Sequence, residues 1–174
     1  MTGLRYADAG VDINRQDDTT DQIKSIVRKS FGPETLSDIG TFGGLYQPDL
    51  TDCPQPVLVP STDSVGTKLK VAFMVGSHES VGLDIVGHCA NDVLVMGARP
   101  LFFLDYIGMG IHETDVAVAI VRGVTEACSK INCAVIGGEL AELPDMYSPG
   151  EYDLVGTIVG SVSVEKVKTA CEAV

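Results

Sequence analysis

The sequence predicts an α/β (α+β) chain: a small mixed sheet of about four strands with helices on one face. Three observations predict it. Short Val- and Ile-rich runs alternate with longer stretches whose apolar residues recur every three to four positions. Glycine or proline marks most junctions between them. Hydrophobic residues make up 45% of the 174 residues and aromatics only 6%, so one aliphatic core is expected.

The elements follow in order. Residues 1–20 are polar, aperiodic and rich in Asp, Gly and Thr, and read as an extended arm; residues 21–174 read as one domain. Thr20 can cap a short helix with Ile23, Ile26 and Val27 on one face, which Gly32-Pro33 ends. A glycine-rich loop follows, through Gly40, Gly43 and Gly44. Val57 to Thr62 is a buried strand. Lys68 to Met74 alternates charged and apolar residues, as a half-exposed strand would. Ser80 then caps a helix to about Met96, with Val81, Ile85, Cys89 and Val93 four apart; Gly97 closes it and Pro100 prevents its continuation. Pro100 to Tyr106 is a strand. A helix begins near Thr114 and carries Val118, Val121 and Val124. Cys133 to Gly137 is a short buried strand, and Tyr152 to Val162 a long one with apolar or glycine residues at every second position. A sheet this small, covered on one side, leaves an apolar face, so a sheet-to-sheet dimer is expected.

Net charge is −12, which argues against nucleic acid and anionic membrane as partners. It leaves phosphorylated substrates open, because Mg²⁺ can sit between carboxylate and phosphate. The five cysteines are odd in number and lack a C-x-x-C pair, so neither a zinc site nor a disulfide framework is expected. No signal peptide is legible and no apolar run approaches the ~20 residues of a membrane span. A soluble, cytoplasmic protein is the expectation.

Three separated segments can carry chemistry. In Ser61-Thr62-Asp63-Ser64-Val65-Gly66-Thr67-Lys68, Asp63 can ligate Mg²⁺, Gly66 lets backbone approach a phosphate, and Lys68 supplies positive charge. An ordinary turn, with Asp63 bonded to its own backbone and Lys68 solvated, explains the same residues. Neither G-x-x-x-x-G-K-[ST] nor G-x-G-x-x-G occurs, which disfavours a P-loop or Rossmann site. Asn91-Asp92 lies within a helix beside its apolar stripe, where metal binding or a solvated helix edge accounts for it. Glu139 and Glu142 follow Gly137-Gly138 at a strand end, a common place for functional groups and also for a surface turn. Asp105 ends the strand Phe102-Phe103-Leu104-Asp105 as a ligand or merely as its polar end. His78, His88 and His112 lack metal spacing, and His88 reads as structural.

Taken in order, these segments resemble the AIR synthetases (phosphoribosylformylglycinamidine cyclo-ligases). The matching pieces are Tyr6 to Ile13, Ile39 to Leu45, Ser61 to Lys68, Asn91-Asp92 with Gly97 to Tyr106, and Gly137 to Tyr147. The resemblance implies ATP-dependent ring closure in purine biosynthesis. Asp63, Asp92 and Glu139 or Glu142 would hold Mg²⁺. Lys68 and Lys24 would contact the polyphosphate, with Asp63, Asp92 and Lys68 as the catalytic set. Gly43, Gly44, Ser64, Gly66, Thr67, Asn91, Asp105 and Gly138 would line the nucleotide and ribonucleotide phosphate site. The arm, with Asp8, Gly10 and Asp12, would be a lid, and the homodimer would close its two sheets into a barrel. The family usually has Gly where Ser64 and Asp145 stand and Thr where Leu140 stands. It also has a second, C-terminal domain that this chain lacks, so the fragment is expected to dimerise and bind nucleotide without turnover alone. The competing readings are a related small-molecule kinase, against which Phe102 to Tyr106 and the arm speak, and a non-catalytic nucleotide-binding or dimerisation module.

Overall fold

The computed structural model describes residues 13–169. The expected lid residues Asp8, Gly10 and Asp12 lie outside them. The order of elements is α1 (Ile13–Val27), β1 (Pro56–Ser64), α2 (Leu69–Val75), α3 (Glu79–Val95), β2 (Arg99–Met109), α4 (Thr114–Lys130), β3 (Ala134–Glu142) and β4 (Tyr152–Ser163). The four strands form one mixed sheet in the order β1-β4-β2-β3. The antiparallel pairs are β1 with β4 and β4 with β2, while β2 and β3 run parallel, joined by α4.

Side-chain alternation decides which face is buried. On β4, Leu154, Gly156, Ile158, Gly160 and Val162 are buried, while Val155, Thr157 and Val159 face the other way. The buried set meets Phe103 and Ile107 of β2 and Ile85 of α3, all 0–1% exposed. Gly156 makes this packing possible: a Cβ there would lie 2.3 Å from Phe103 Cζ and 2.8 Å from Ile85 Cγ1. α3 and α4 cross on glycine. A Cβ on Gly82 would lie 2.2 Å from the Ile120 carbonyl oxygen, and one on Gly123 2.0 Å from that of Glu79. α1 packs on the outside of α4, anchored by buried Thr19, whose Oγ1 is 2.8 Å from His112 Nε2 and 2.8 Å from Thr114 Oγ1.

The opposite face of the sheet carries Leu58, Phe102, Leu104, Tyr106, Val155 and Val159. It is covered at one end, where Tyr46 packs on Phe102 and Arg99 Nη2 donates to the Asp49 carbonyl. Leu58 is 59% exposed. On the free edge of β1, Pro56 and Pro60 carry no N–H, and the Ser64 N–H turns back to Asp63 Oδ1 at 2.7 Å. The Val65 N–H instead points inward, to the Leu154 carbonyl.

Four expectations need correction. Residues 13–20 are helical, the first turns of α1, so the extended arm does not reach Thr20, which lies inside the helix rather than at its start. Residues 66–68 form a 3-10 turn that runs into α2, so Lys68 to Met74 is helix and not strand. Leu69, Ala72 and Phe73 share its inner face at helical spacing, and Phe73 packs edge-on against Tyr152. β3 runs on past Gly137 through Glu142, so the two glutamates lie on a strand rather than beyond one. α3 starts at Glu79 after His78, with Ser80 inside it.

The crossing predicts opposite outcomes for two glycines. Gly123→Ala should cost about 1–3 kcal/mol through overpacking. Gly87→Ala, an exposed position in α3 whose Cβ would meet nothing within 4 Å, should gain about 0.5–1 kcal/mol. Urea unfolding of both variants checks this, and equal midpoints would contradict it.

Candidate functional site

The predicted site residues fall into two groups at opposite edges of the sheet. The first is built where β1 meets α3. Ser61 and Asp63, two apart on the strand, share its helix-facing side; His88 and Asp92, four apart, share one face of the helix. Ser61 Oγ donates to Asp92 Oδ2 at 2.5 Å, and His88 Nδ1 lies 3.7 Å from Asp63 Oδ2. Gly66 (φ 70°) takes the left-handed turn that ends the strand and starts the helical segment. Thr67 and Lys68 follow on the surface, and Lys68 Nζ bonds Asp84 Oδ2 at 2.9 Å. Asn91 is exposed beside Asp92. Asp84 and His88 belong to this group although sequence reasoning passed over the first and read the second as structural. The interval of four from Asp84 to His88 and again from His88 to Asp92 was the available signal.

Ser64 takes no positive φ, so the usual glycine is not required there. Asp145 does adopt the left-handed region (φ 69°), which suits the glycine that the resembling family places at that position.

The second group surrounds a cavity of about 560 Å³ between α1, the Gly40–Gly44 loop and β3. β3 bulges where it meets β2: Phe103 pairs with Val135 but Leu104 with Gly137, leaving Ile136 over. The loop docks there; a Cβ on Gly44 would lie 2.5 Å from the Ile136 carbonyl oxygen, whereas Gly43 faces open space. Lys24 reaches the loop with its Cε beside Gly40, and its Nζ bonds Asp21 Oδ1 at 3.0 Å. Asp105 lines the cavity opposite Gly138, where a Cβ would come within 2.3 Å of Asp105 Oδ1. Burial pushes the Asp105 carboxyl up to about 7 from the ordinary 3.8.

The two glutamates part company. Glu142 Oε1 accepts the His112 N–H at 2.9 Å. Glu139 is exposed on the other face of β3, in register with Tyr106. β1 and β3 are three strand spacings apart in the sheet, roughly 14 Å. Within one chain Asp63 and Asp92 therefore do not meet Glu139 or Glu142. Among the described residues no group of three or more His, Cys, Asp or Glu is placed to hold a metal ion. Cys53, Cys89, Cys128 and Cys133 are free thiols, and no described helix is long and apolar enough to cross a membrane.

Comparison with known proteins agrees with this architecture. The family described as "AIR synthase related protein, N-terminal domain" matches residues 50–162. A phosphoribosylformylglycinamidine cyclo-ligase of Nitratidesulfovibrio vulgaris is 54% identical over 162 residues, covering 93% of this chain and 46% of the relative. The chain thus spans about half the length of the curated relatives it matches. Among solved structures, thiamine-monophosphate kinase from Stenotrophomonas maltophilia shares the fold with a TM-score of 0.63 at 24% identity, over 82% of this chain and 41% of that one. The hydrogenase maturation protein HypE in complex with ATP does so with a TM-score of 0.57 at 19% identity, over 83% and 39%.

Asp105 sets a pH signature. The native carboxyl holds its proton up to about pH 7 and the unfolded one only to about 4, so the native state binds the extra proton between those values. Its contribution to stability is complete below pH 4 and lost as pH rises to 7, by at most about 4 kcal/mol. Asp105→Asn should remove that slope and be the more stable form at pH 8. Urea midpoints of both proteins at pH 5 and 8 measure this; parallel pH profiles would refute it.

Proposed function

Because the chain belongs to the AIR synthase related family, whose N-terminal domain it carries, we propose that it is the nucleotide-binding half of a phosphoribosylformylglycinamidine cyclo-ligase of purine biosynthesis, working in the cytoplasm. One observation carries this reading: 54% identity to such a cyclo-ligase along 93% of the chain. The kinase alternative rests on likeness of fold alone.

The proposed reaction closes the imidazole ring of aminoimidazole ribonucleotide. The γ-phosphoryl of ATP passes to the formyl amide oxygen of formylglycinamidine ribonucleotide with release of ADP; the amidine nitrogen then attacks the formyl carbon and gives up a proton as the C–O bond breaks and inorganic phosphate leaves. An amide oxygen is a poor leaving group and its phosphorylated form a good one. Phosphoryl transfer depends chiefly on positioning and charge neutralisation. The β1–α3 group is suited to both. Mg²⁺ is ordinarily held by one or two carboxylates together with substrate phosphates and water. Asp63 and Asp92 offer two carboxylates that flank one strand–helix junction, so they fit that ion. When bound, Mg²⁺ would neutralise phosphate charge. Lys68 already lies beside this group and would exchange Asp84 for a phosphate oxygen. Gly66 and Thr67 leave the neighbouring backbone uncovered, Ser64 and Asn91 border it, and Lys24, with Gly43 and Gly44 of the loop, marks the far boundary of the site.

Glu139 belongs to the same assignment only through a second copy or through movement, since it stands at the other sheet edge. We assign the open sheet face to a homodimer, supported by the exposed Leu58 and the row formed by Leu104, Tyr106, Val155 and Val159. The remaining half of the relatives' length would supply the other wall of the substrate cleft.

Titration calorimetry of the 174-residue protein with Mg-ATP tests this reading. Binding is expected, with Asp63→Asn and Asp92→Asn each weakening it about ten- to a hundredfold. A folded protein that gives no heat would overturn the nucleotide assignment.

A further inference from the structure

The cavity beneath the Gly40–Gly44 loop has an electrostatic character that the proposed phosphate chemistry does not use. Its only ionisable lining groups among the described residues are two carboxylates, Asp105 and Glu139. No Lys, Arg or His lines it, and the walls are mostly apolar, from Ile23, Val27, Ile107 and Val121 among others. The nearest cation among the described residues is Lys24, at the rim beside Gly40 and bonded to Asp21, so a phosphate inside would meet carboxylates and apolar walls. A ligand that brings its own positive charge would find an acceptor in Asp105, on the helix-facing side of β2, with Glu139 on the other face of β3 at the rim.

Asp105 is the better placed of the two. Glu139 is exposed to solvent, whereas Asp105 is withdrawn among the walls, with no side-chain donor bonded to it among the described residues. Unpaired carboxylates in such surroundings are costly, and a charge-assisted bond formed there is strong because little water competes. Gly138 keeps the carboxyl reachable, since any Cβ at that position would collide with Asp105 Oδ1. A carboxylate presents two parallel acceptors in a plane. Their complement is a planar cation with two parallel N–H donors, the geometry shared by guanidinium and amidinium groups. A volume of about 560 Å³ is ample for an amidine carrying a ring or a short chain.

We propose that the Asp105 cavity binds an amidinium group through the Asp105 carboxylate. Resting on the reading above, the natural bearer of that group is the amidine end of formylglycinamidine ribonucleotide. The sheet then divides the work: phosphates are held where β1 meets α3, and the nitrogen-bearing end of the substrate is recognised beside β3.

Benzamidine is the probe, with benzamide as its neutral isostere. Titrated into the 174-residue protein at pH 8 without nucleotide, benzamidine should bind at least tenfold more tightly than benzamide. The backbone amides of Gly137 and Gly138 should shift in NMR spectra as it does. Asp105→Asn should bring the two ligands within twofold of each other, while Glu139→Gln should keep most of the preference. Equal affinities on the unaltered protein would overturn the proposal, and that comparison needs no variant to fold. So would a preference that survives Asp105→Asn, one lost with Glu139→Gln alone, or shifts confined to another surface. Because nucleotide is absent, failure here is separate from failure to bind Mg-ATP, which would sink the reading of the previous section.

Discussion

Everything at the candidate site depends on how closely α3 can approach its neighbours. Two glycines, Gly82 and Gly123, let the backbones of α3 and α4 touch, and a third, Gly156, opens a slot in β4 that Phe103 and Ile85 fill. These contacts fix both the depth and the rotation of α3. Its apolar stripe is committed inward, so the next residues around the helix, Asp84, His88 and Asp92, are presented along β1. Placing a carboxylate within 2.5 Å of a strand hydroxyl is thus a consequence of glycine-mediated backbone approach and apolar side-chain packing, with no charged side chain in it.

The same frame separates two electrostatic environments. Along β1 and α3 acids and bases are interleaved: Lys68 with Asp84, His88 with Asp63. These groups are partly solvated and exchange partners at small cost. Under the glycine loop the lining is mostly apolar with two carboxyl groups among the described residues, and burial pushes the Asp105 carboxyl up to about 7. Charge that is cheap to rearrange suits polyphosphate and its counter-ion. Charge that is expensive to leave unpaired suits selection of a particular ligand.

Much of this was legible in the sequence. The alternation of strands and helices, the mixed four-stranded sheet and the turn at Gly66 were all readable, because each is set by local periodicity or by a residue with singular backbone freedom. The segment from Lys68 to Met74 misled because Lys-Leu-Lys-Val satisfies a period of two over four residues, while Leu69, Ala72 and Phe73 satisfy a helical period over five. The start of α1 was hidden because its buried anchor, Thr19, is polar and held by hydrogen bonds rather than by apolar spacing. What a linear reading could not show was the order of strands. Asp63, Asp92 and Glu139 stand on successive motifs along the chain, yet β1 and β3 end at opposite borders because β4 inserts beside β1 and β2 lies between. His88 and Asp84 were readable from their helical spacing with Asp92, a pattern that becomes chemical only once the helix is known to lie against β1.

The border formed by β1 has a further consequence. Residues whose amides point away from β4 are the even-numbered ones, as the inward bond from Val65 shows. Of these, Pro56 and Pro60 have nothing to donate and Ser64 is satisfied by its neighbour's carboxylate, which leaves Leu58 and Thr62. A newcomer strand aligning along this rim would find too few hydrogen-bond partners to extend the ladder. The protein is thereby protected from open-ended fibre growth on that side, and contacts between copies are steered toward side chains instead of main chain.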